Sequence, residues 1–443
     1  MTGLRHNRPF RRFWLASTVS DFGSHLTTLA ISVIVLVTLE GSPLDQGLVN
    51  ASRWTPYLLF GLLAGIWVDR FRRRLVLVVG DIGRGLVLAA LCVLAVTGVL
   101  AVPTLVVFMF VFGFLALMSD AAYQSFVPQL VPRSSLVRAN FRLQQSETVA
   151  QISGSAVAGA LIAIVTAPFA LLIDALTYFF SGFVLLSLRQ TESNRVPARA
   201  ETSTGQRIVE GLRWVYQHPR LWPLAVGTPI WFIGSAVLGT VFPALVLLEL
   251  DLGPLGLGVI LGCAGIGSVI GLALSMRLDT RFGTGRVMVF MRLVQPVAVA
   301  LVALSPTIAA LPAGGTATAG AYATTADWPI ELWAGVVAAA LGQFVFGLAM
   351  GAEGPLEISY RQAVTPDRLL ARMSATMRSV NRGMIVVGAL LGGAIASMWS
   401  VAAALWIASA FMVAAGLVLA FSKFRTARID HDVLPDEDAA LKH

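Results

Sequence analysis

Charged residues are scarce in this sequence. Only 13% of the 443 residues are Asp, Glu, Lys or Arg, whereas soluble domains usually carry roughly 25%. Hydrophobic residues instead make up 56% of the chain, and the mean hydropathy is +0.78. This composition excludes an ordinary soluble enzyme and also excludes disordered and fibrous classes of protein.

Cysteine and histidine are also rare, with two and five copies. Cys92 and Cys263 lie in apolar runs without metal-ligand spacing, so we expect neither disulfides nor a metal site. The sequence lacks Gly-x-Ser-x-Gly, His-Glu-x-x-His and a phosphate-binding loop, so we expect no enzyme, no cofactor and no ATP-driven pump within this chain. The apolar segment after Trp14 is too long for a signal peptide, and no cleavable leader is expected.

Long apolar runs account for most of the chain. A bilayer core of about 30 Å requires about 20 apolar helical residues, and the runs are too long for the roughly 10-residue strands of a membrane barrel. The sequence therefore predicts an all-α integral membrane protein with twelve transmembrane helices. We place the spans at residues 13–39, 48–68, 75–97, 103–127, 143–166, 169–188, 221–248, 255–276, 286–310, 332–358, 374–398 and 400–422.

The basic residues are segregated to one side of these spans. If the N-terminus is cytoplasmic, 30 of the 32 Lys and Arg residues, Arg292 among them, fall in inner loops and termini, while Arg53 and Arg84 lie within helices. The positive-inside rule then places both termini in the cytoplasm of a protein in the inner, cytoplasmic membrane. The same segregation explains the net charge of +8, so no nucleic-acid partner is needed.

The longest inner loop divides the predicted spans into six and six. We therefore expect an N-terminal bundle at 1–188, a cytoplasmic linker at 189–220, a C-terminal bundle at 221–422 and a cytoplasmic tail at 423–443. Repeated halves with a binding site at their interface are a transporter architecture.

The two halves resemble each other in sequence. A shift of 234 residues without gaps aligns Pro132 with Pro366, in the inner loop that enters a span, and Gly154 with Gly388, in the outer half of that span. Because the identities coincide with matching topological positions, we interpret them as an internal duplication and expect pseudo-symmetric bundles.

The loop between the second and third spans carries a glycine, an Asp-Arg pair and a basic cluster: Gly65, Asp69, Arg70, Arg73 and Arg74. This pattern resembles motif A of the major facilitator superfamily. The resemblance implies the major facilitator fold, with a cytoplasmic latch in which Asp69 faces the N-terminal end of the eleventh span, where an anion is favoured. In that latch, the neighbouring arginines bridge to Asp120. The alternative is that these arginines only fix the topology.

Several further stretches resemble the branch of enterobactin exporters, macrolide efflux proteins and multidrug exporters. They are Asn7–Trp14, Ser20–Gly23, Asp81–Arg84, Val127–Pro132, Arg138–Asn140, Asp174–Phe179, Glu210–Arg213 and His218-Pro219. The resemblance implies a secondary transporter that exports amphipathic small molecules, drug-like or siderophore-like, by proton antiport, with one copy of the chain sufficient. The fifth span reads Gly154-Ser-Ala-Val-Ala-Gly159 and lacks the Gly-Pro pair and the double glycine of the exporter signature, which keeps proton-coupled uptake as an alternative. A receptor or scaffold of the same fold is the other alternative.

Ionisable side chains within the spans are costly and are usually functional. Asp81 and Arg84 lie three residues apart on one helix face, so we interpret them as a structural ion pair. Glu353 and Glu357 share a face with Arg361, and Arg378 and Arg382 have the same spacing on the next span. An interhelical ion-pair ladder and a proton site are both open for the two glutamates.

Asp21 has no basic residue within a helical turn and lies about 14 Å beyond Arg12 along the first span. An isolated carboxylate can take up and release a proton as a cavity opens to each side, so Asp21 is the first candidate for coupling. The alternative is a pair with a cation on another helix. Glu147 and Asp174 are further candidates.

Overall fold

The computed structural model describes residues 7–68, 70–132, 135–188, 204–310 and 330–432, and within them it contains helices and no strand. The α-helices are α1 (Arg8–Val33), α2 (Pro43–Val68), α3 (Arg73–Val96), α4 (Val102–Leu130), α5 (Leu136–Val165), α6 (Ala167–Ser187), α7 (Thr204–Gln217), α8 (Trp222–Ala244), α9 (Gly253–Phe282), α10 (Thr284–Ala310), α11 (Ile330–Ala363), α12 (Asp367–Met398), α13 (Val401–Ala420) and α14 (Ile429–Asp432).

Twelve of these helices correspond to the predicted spans, since α7 lies in the linker and α14 follows the last span. Within the described residues, ten helices are long and apolar enough to cross a membrane, and the two parts of α5, bent by 42°, add an eleventh if they form one span. The remaining helix, α2, is 26 residues long and carries Asp45 and Arg53 in its first half.

The helices form two bundles. In the first, α1 packs on α5 and α6, α3 packs on α4 and α6, and α2 packs on α4. The second repeats this pattern, because α8 packs on α12 and α13, α10 packs on α11 and α13, and α9 packs on α11. The predicted fold of two pseudo-symmetric six-helix bundles is therefore confirmed.

Some helices extend beyond the apolar runs that predict them. Helix α5 begins at Leu136 rather than at 143, and α12 begins at Asp367 rather than at 374. Hydropathy marks the hydrocarbon-spanning part of a helix, whereas backbone hydrogen bonding continues through the polar, basic turns that precede it. Between α5 and α6, Thr166 has a positive φ of 71°, and α5 ends there.

Two corresponding turns mark one end of the molecule. Helix α1 continues as a π-helical turn, Ile34–Thr38, before Glu40 at φ 50°, and α8 continues as Leu245–Glu249 before Asp251 at φ 49°. The two turns are 211 residues apart and contact each other. We call this end of the molecule the Glu40 end and the opposite end, where α3 begins, the Arg72 end.

The two bundles meet through α2 against α12 and through α5 against α9. At the Glu40 end these contacts reach the backbone: a Cβ on Gly47 would lie 3.1 Å from Gly393 Cα, and one on Gly159 would lie 2.7 Å from Gly258 Cα. The two contacts are related by the internal repeat, since Gly47 and Gly258 are 211 residues apart and Gly159 and Gly393 are 234 apart. Only glycine allows an approach this close.

The apolar core differs between the two ends. At the Glu40 end one cluster contains side chains from both bundles, for example Ile34 and Val241. At the Arg72 end each bundle has a cluster of its own, around Phe126 in the first and around Tyr360 in the second. Among the described residues, the large apolar cluster shared by both bundles lies at the Glu40 end, and a small one joins Ala51 of α2 to Val386 and Ala389 of α12.

Candidate functional site

A cavity of about 330 Å³ lies between the two bundles. Its wall combines apolar side chains with hydroxyl, amide and imidazole groups, and the described lining includes no Asp, Glu, Lys or Arg. The polar lining residues are His25, Thr28, Ser32, Gln151, Ser155, Ser235, Ser268 and Gln343. Helices α1 and α5 supply the first five and α8, α9 and α11 supply the others, so a molecule bound here would touch both bundles.

Asp21 lies on α1, one helical turn before the cavity-lining His25, and residues at this spacing share a helix face. Among the described residues its carboxylate has no hydrogen-bond or ion-pair partner, and the charges of Glu147 and Arg84 act on it from a distance. The side chain is partly buried. Glu147, on α5, is exposed.

Asp174 is fully buried on α6 and faces α1. Its carboxylate accepts hydrogen bonds from the Thr27 hydroxyl and, at 2.8 Å, from the Thr177 hydroxyl. A Cβ on Gly23 would overlap Asp174 and Thr177. The structure therefore places this carboxylate in a tight contact between α1 and α6.

Asp81 and Arg84 are in contact on α3, where Arg84 Nη2 lies 2.5 Å from Asp81 Oδ1. The Ser181 hydroxyl donates to the other Asp81 oxygen at 2.6 Å, and the Arg84 guanidinium lies 4.4 Å from the centre of the Tyr178 ring. Both charges are thus paired against α6, and their interpretation as a structural pair stays a prediction.

A buried charge cluster in the second bundle differs from the predicted ladder. Glu353 and Glu357 pair with Arg292 of α10 at 2.9 Å each, and Glu357 also pairs with Arg361 at 3.2 Å. Arg292 is only 1% exposed, so its assignment to an inner loop is wrong. The sequence signal that we missed is the position of Arg292 six residues inside an apolar run, where an arginine needs buried carboxylates.

Trp231 of α8 packs against this cluster. The Arg292 guanidinium lies 5.4 Å from the centre of the Trp231 ring, whose N–H donates to Gln295 on α10. Thr228 donates to Glu357 at 3.2 Å. The positive charges of Arg292 and Arg361 therefore balance the negative charges of Glu353 and Glu357 in the interior of the second bundle.

Asp120 joins the two bundles. Arg382 Nη1 of α12 lies 2.5 Å from Asp120 Oδ2 of α4, and the Tyr57 hydroxyl of α2 donates to the same oxygen at 2.9 Å. The Arg382 guanidinium also lies 4.7 Å from the Tyr57 ring centre and 5.6 Å from the Trp54 ring centre. The pair lines a second cavity, of about 480 Å³, which extends toward the Arg72 end.

This arrangement differs from the expected bridge between Asp120 and the basic cluster of the loop. Arg74 donates at 2.9 Å to the Leu185 carbonyl of α6, and Arg73 opens α3. Gly65 lies on the wall of the second cavity, and Arg70 is exposed in the turn that follows α2. Asp69 lies outside the described residues, so the latch at that residue stays a prediction.

The sequence pattern of the transmembrane secretion effector family matches residues 2–439 of the chain. The MFS-type transporter y4rN of Sinorhizobium fredii is 23% identical over 426 residues, which cover 95% of each chain. The multidrug efflux pump Tap of Mycolicibacterium fortuitum is 29% identical over 226 residues, covering 49% of this chain and 54% of that protein. The staphyloferrin A transporter of Staphylococcus aureus is 25% identical over 177 residues, covering 40% of this chain and 44% of that protein.

Solved structures with the same fold cover nearly the whole chain. The nucleoside transporter NupG aligns with a TM-score of 0.70 at 13% identity, over 93% of this chain and 98% of that one. An inward-facing bacterial homologue of the iron transporter ferroportin aligns with a TM-score of 0.65 at 16% identity, over 96% of this chain and 100% of that one. At these identities the likeness shows the fold.

Proposed function

The chain belongs to the transmembrane secretion effector family, and from this premise we propose that it is a proton-coupled antiporter that exports amphipathic small molecules. Membership makes it a multi-pass transporter of the major facilitator superfamily. The observation that supports export of an amphipathic small molecule is the central cavity, whose mixed apolar and hydrogen-bonding wall suits a drug-like or siderophore-like molecule. The relative Tap is a multidrug efflux pump.

Alternating access follows from the way the bundles meet. The backbone contacts at Gly47 and Gly159 close the Glu40 end, while separate apolar cores leave the bundles free to part at the Arg72 end. We assign the Glu40 end to the outside and both termini to the cytoplasm of the inner membrane. The rocking units are then residues 1–188 and 221–422, joined by the linker 189–220 and followed by the tail 423–443, and a monomer suffices.

Asp21 is our candidate for the proton carrier. It is a carboxylate without a cationic partner among the described residues and lies one turn from the cavity wall. Its negative charge requires water or a proton before the surrounding helices can close. Exchange of that proton as the cavity faces each side would link the proton gradient to substrate movement. Glu147 is the second candidate.

The remaining charges would serve the gate and the scaffold. The Asp120–Arg382 pair joins the bundles and has to separate or rearrange when they rock. Asp69 would latch the cytoplasmic side in the other state, as motif A implies. The Asp81–Arg84 pair and the clusters around Asp174 and Arg292 would hold each bundle rigid.

Flux in everted membrane vesicles tests this proposal. We expect vesicles with an acidic lumen to accumulate an amphipathic fluorescent probe, and collapse of the pH gradient to release it. Asp21→Asn should abolish gradient-driven accumulation, while Glu40→Gln, the same change at an exposed turn, should not. Gradient-driven movement in the opposite direction would support uptake, and the absence of any flux would support a receptor or scaffold.

A further inference from the structure

Three arginines in the interior of the described helices pair with acidic residues. Arg84 pairs with Asp81, Arg292 with Glu353 and Glu357, and Arg382 with Asp120. Arg53 of α2 is different: among the described residues it has no carboxylate within 4.0 Å. It lies ten residues after the first residue of α2, about 15 Å along the helix axis, and five residues inside the predicted span at 48–68. A cation at this depth without a counterion is costly and calls for a partner.

Arg53 is not itself a lining residue of the central cavity, but it contacts one that is. Arg53 Nη1 donates at 3.2 Å to the hydroxyl of Thr28, which is exposed in the cavity wall. The guanidinium lies 5.3 Å from the centre of the Phe112 ring and 5.9 Å from that of Trp54. Asp174, whose charge also interacts with Arg53, has its oxygens bonded to Thr27 and Thr177.

An arginine side chain has five N–H donors, and the described contacts commit one of them to Thr28. The aromatic rings hold the planar group without using its donors. The cavity wall next to it contributes hydroxyl, amide and imidazole groups and, among the described lining residues, no carboxylate. A bound oxyanion could therefore take two parallel N–H bonds from the guanidinium, whereas a bound cation would meet positive charge with no negative partner in the wall.

We propose that Arg53 is the anion-recognition residue of the central cavity and that the transported substrate is an amphipathic anion, recognised through a carboxylate. This inference rests on the proposed export function, because it assigns the substrate class of the same cavity. The apolar part of the substrate would lie against the wall around Leu238, Phe242 and Phe346. Its anionic group would supply a carboxylate in direct contact with Arg53, which no described residue does.

Binding to the purified full-length protein in lipid nanodiscs tests the inference without reference to flux. Naphthylacetate, naphthylethanol and naphthylethylammonium present the same ring system with a carboxylate, a neutral and a cationic head, and calorimetric titration gives their Kd values. We expect the wild type to bind naphthylacetate most tightly. Arg53→Gln should weaken naphthylacetate binding by roughly 10- to 100-fold, Arg53→Lys by less, and naphthylethanol binding should stay within about twofold in each.

Arg281→Gln is the matched control, because it removes one positive charge at the exposed end of α9 and should leave all three Kd values unchanged. Wild-type preference for the ammonium compound, absence of naphthylacetate binding, or equal naphthylacetate binding by wild type and Arg53→Gln would overturn the inference. If Arg53→Gln fails to fold, the order of the three wild-type Kd values still tests the inference. Anion binding through Arg53 without proton-driven flux would leave this inference intact and contradict the proposed function. Proton-driven flux without anion binding through Arg53 would contradict this inference and leave the proposed function intact.

Discussion

A methyl group added at Gly159 should open the Glu40 end. The new Cβ would lie 2.6 Å from the Pro254 carbonyl oxygen and 2.7 Å from Gly258 Cα, whereas non-bonded carbons prefer about 3.5–4.0 Å. Both neighbours are backbone atoms, so neither can rotate away. Helices α5 and α9 must therefore separate by on the order of 1 Å in Gly159→Ala, and only while this end is closed.

The size of the effect follows from the cost of overpacking, about 1–3 kcal/mol. A penalty confined to the closed state raises the population of the open state by about 5- to 150-fold. The helix itself does not suffer, since alanine is the better helix former by about 1 kcal/mol, and that gain applies to both states. Gly47→Ala should act similarly, because its Cβ would lie 2.6 Å from the Ala389 carbonyl oxygen at the equivalent contact.

The assay is maleimide labelling of a single cysteine in the cavity wall at Ser235, in a background with Cys92 and Cys263 replaced by serine. A membrane-impermeant reagent is added from the outside. We expect the labelling rate to rise for Gly159→Ala and to stay at the background rate for Gly354→Ala, where an added Cβ meets nothing within 4 Å. Unchanged labelling in a folded Gly159→Ala protein would refute the idea that this contact closes the outer side.

Three further results are expected. Arg292→Met should lower the free energy of unfolding by about 3–5 kcal/mol, because Glu353 loses its buried partner. Thermal unfolding in detergent measures this loss, and the double variant with Arg292→Met and Glu353→Gln should recover part of it. Arg382→Gln should lower labelling of a cysteine at Ser374 from the cytoplasmic side by a few-fold at most, because the pair forms in the state whose Glu40 end is closed and a partly exposed pair contributes about 1 kcal/mol or less; a charge swap with Asp120 should restore the labelling rate. Gly23→Ala should cost about 1–3 kcal/mol in thermal unfolding because its Cβ overlaps Asp174, and a neutral result there would show that α1 and α6 can part locally.

Hydropathy and charge segregation predict the helices well, because each property is local along the chain. The predicted span 221–248 compares with Trp222–Glu249, and 286–310 compares with Thr284–Ala310. The spacing of Asp81 and Arg84 places them together for the same reason, since both lie on one helix. The π-helical turn at Ile34–Thr38 has no comparable local signal in the apolar run.

Partners on different helices could not be predicted in this way. Arg292 meets Glu353 because α10 packs on α11, and Arg382 meets Asp120 because α12 packs on α2, which packs on α4. Both contacts depend on which faces of the helices meet, and hydropathy does not determine that. For the same reason, the spacing of Arg378 and Arg382 suggested a ladder with Glu353 and Glu357, whereas Arg382 pairs with Asp120.

Proton movement caused by substrate is the most direct test of coupling through Asp21. Proteoliposomes that enclose a pH-sensitive dye would hold a pH gradient, and naphthylacetate would be added as the trial substrate. We predict that the wild type moves protons on addition of substrate, whereas Asp21→Asn binds naphthylacetate with a similar Kd and moves none. Equal proton movement in Asp21→Asn and wild type would contradict the account, as would a wild type that transports naphthylacetate without moving protons.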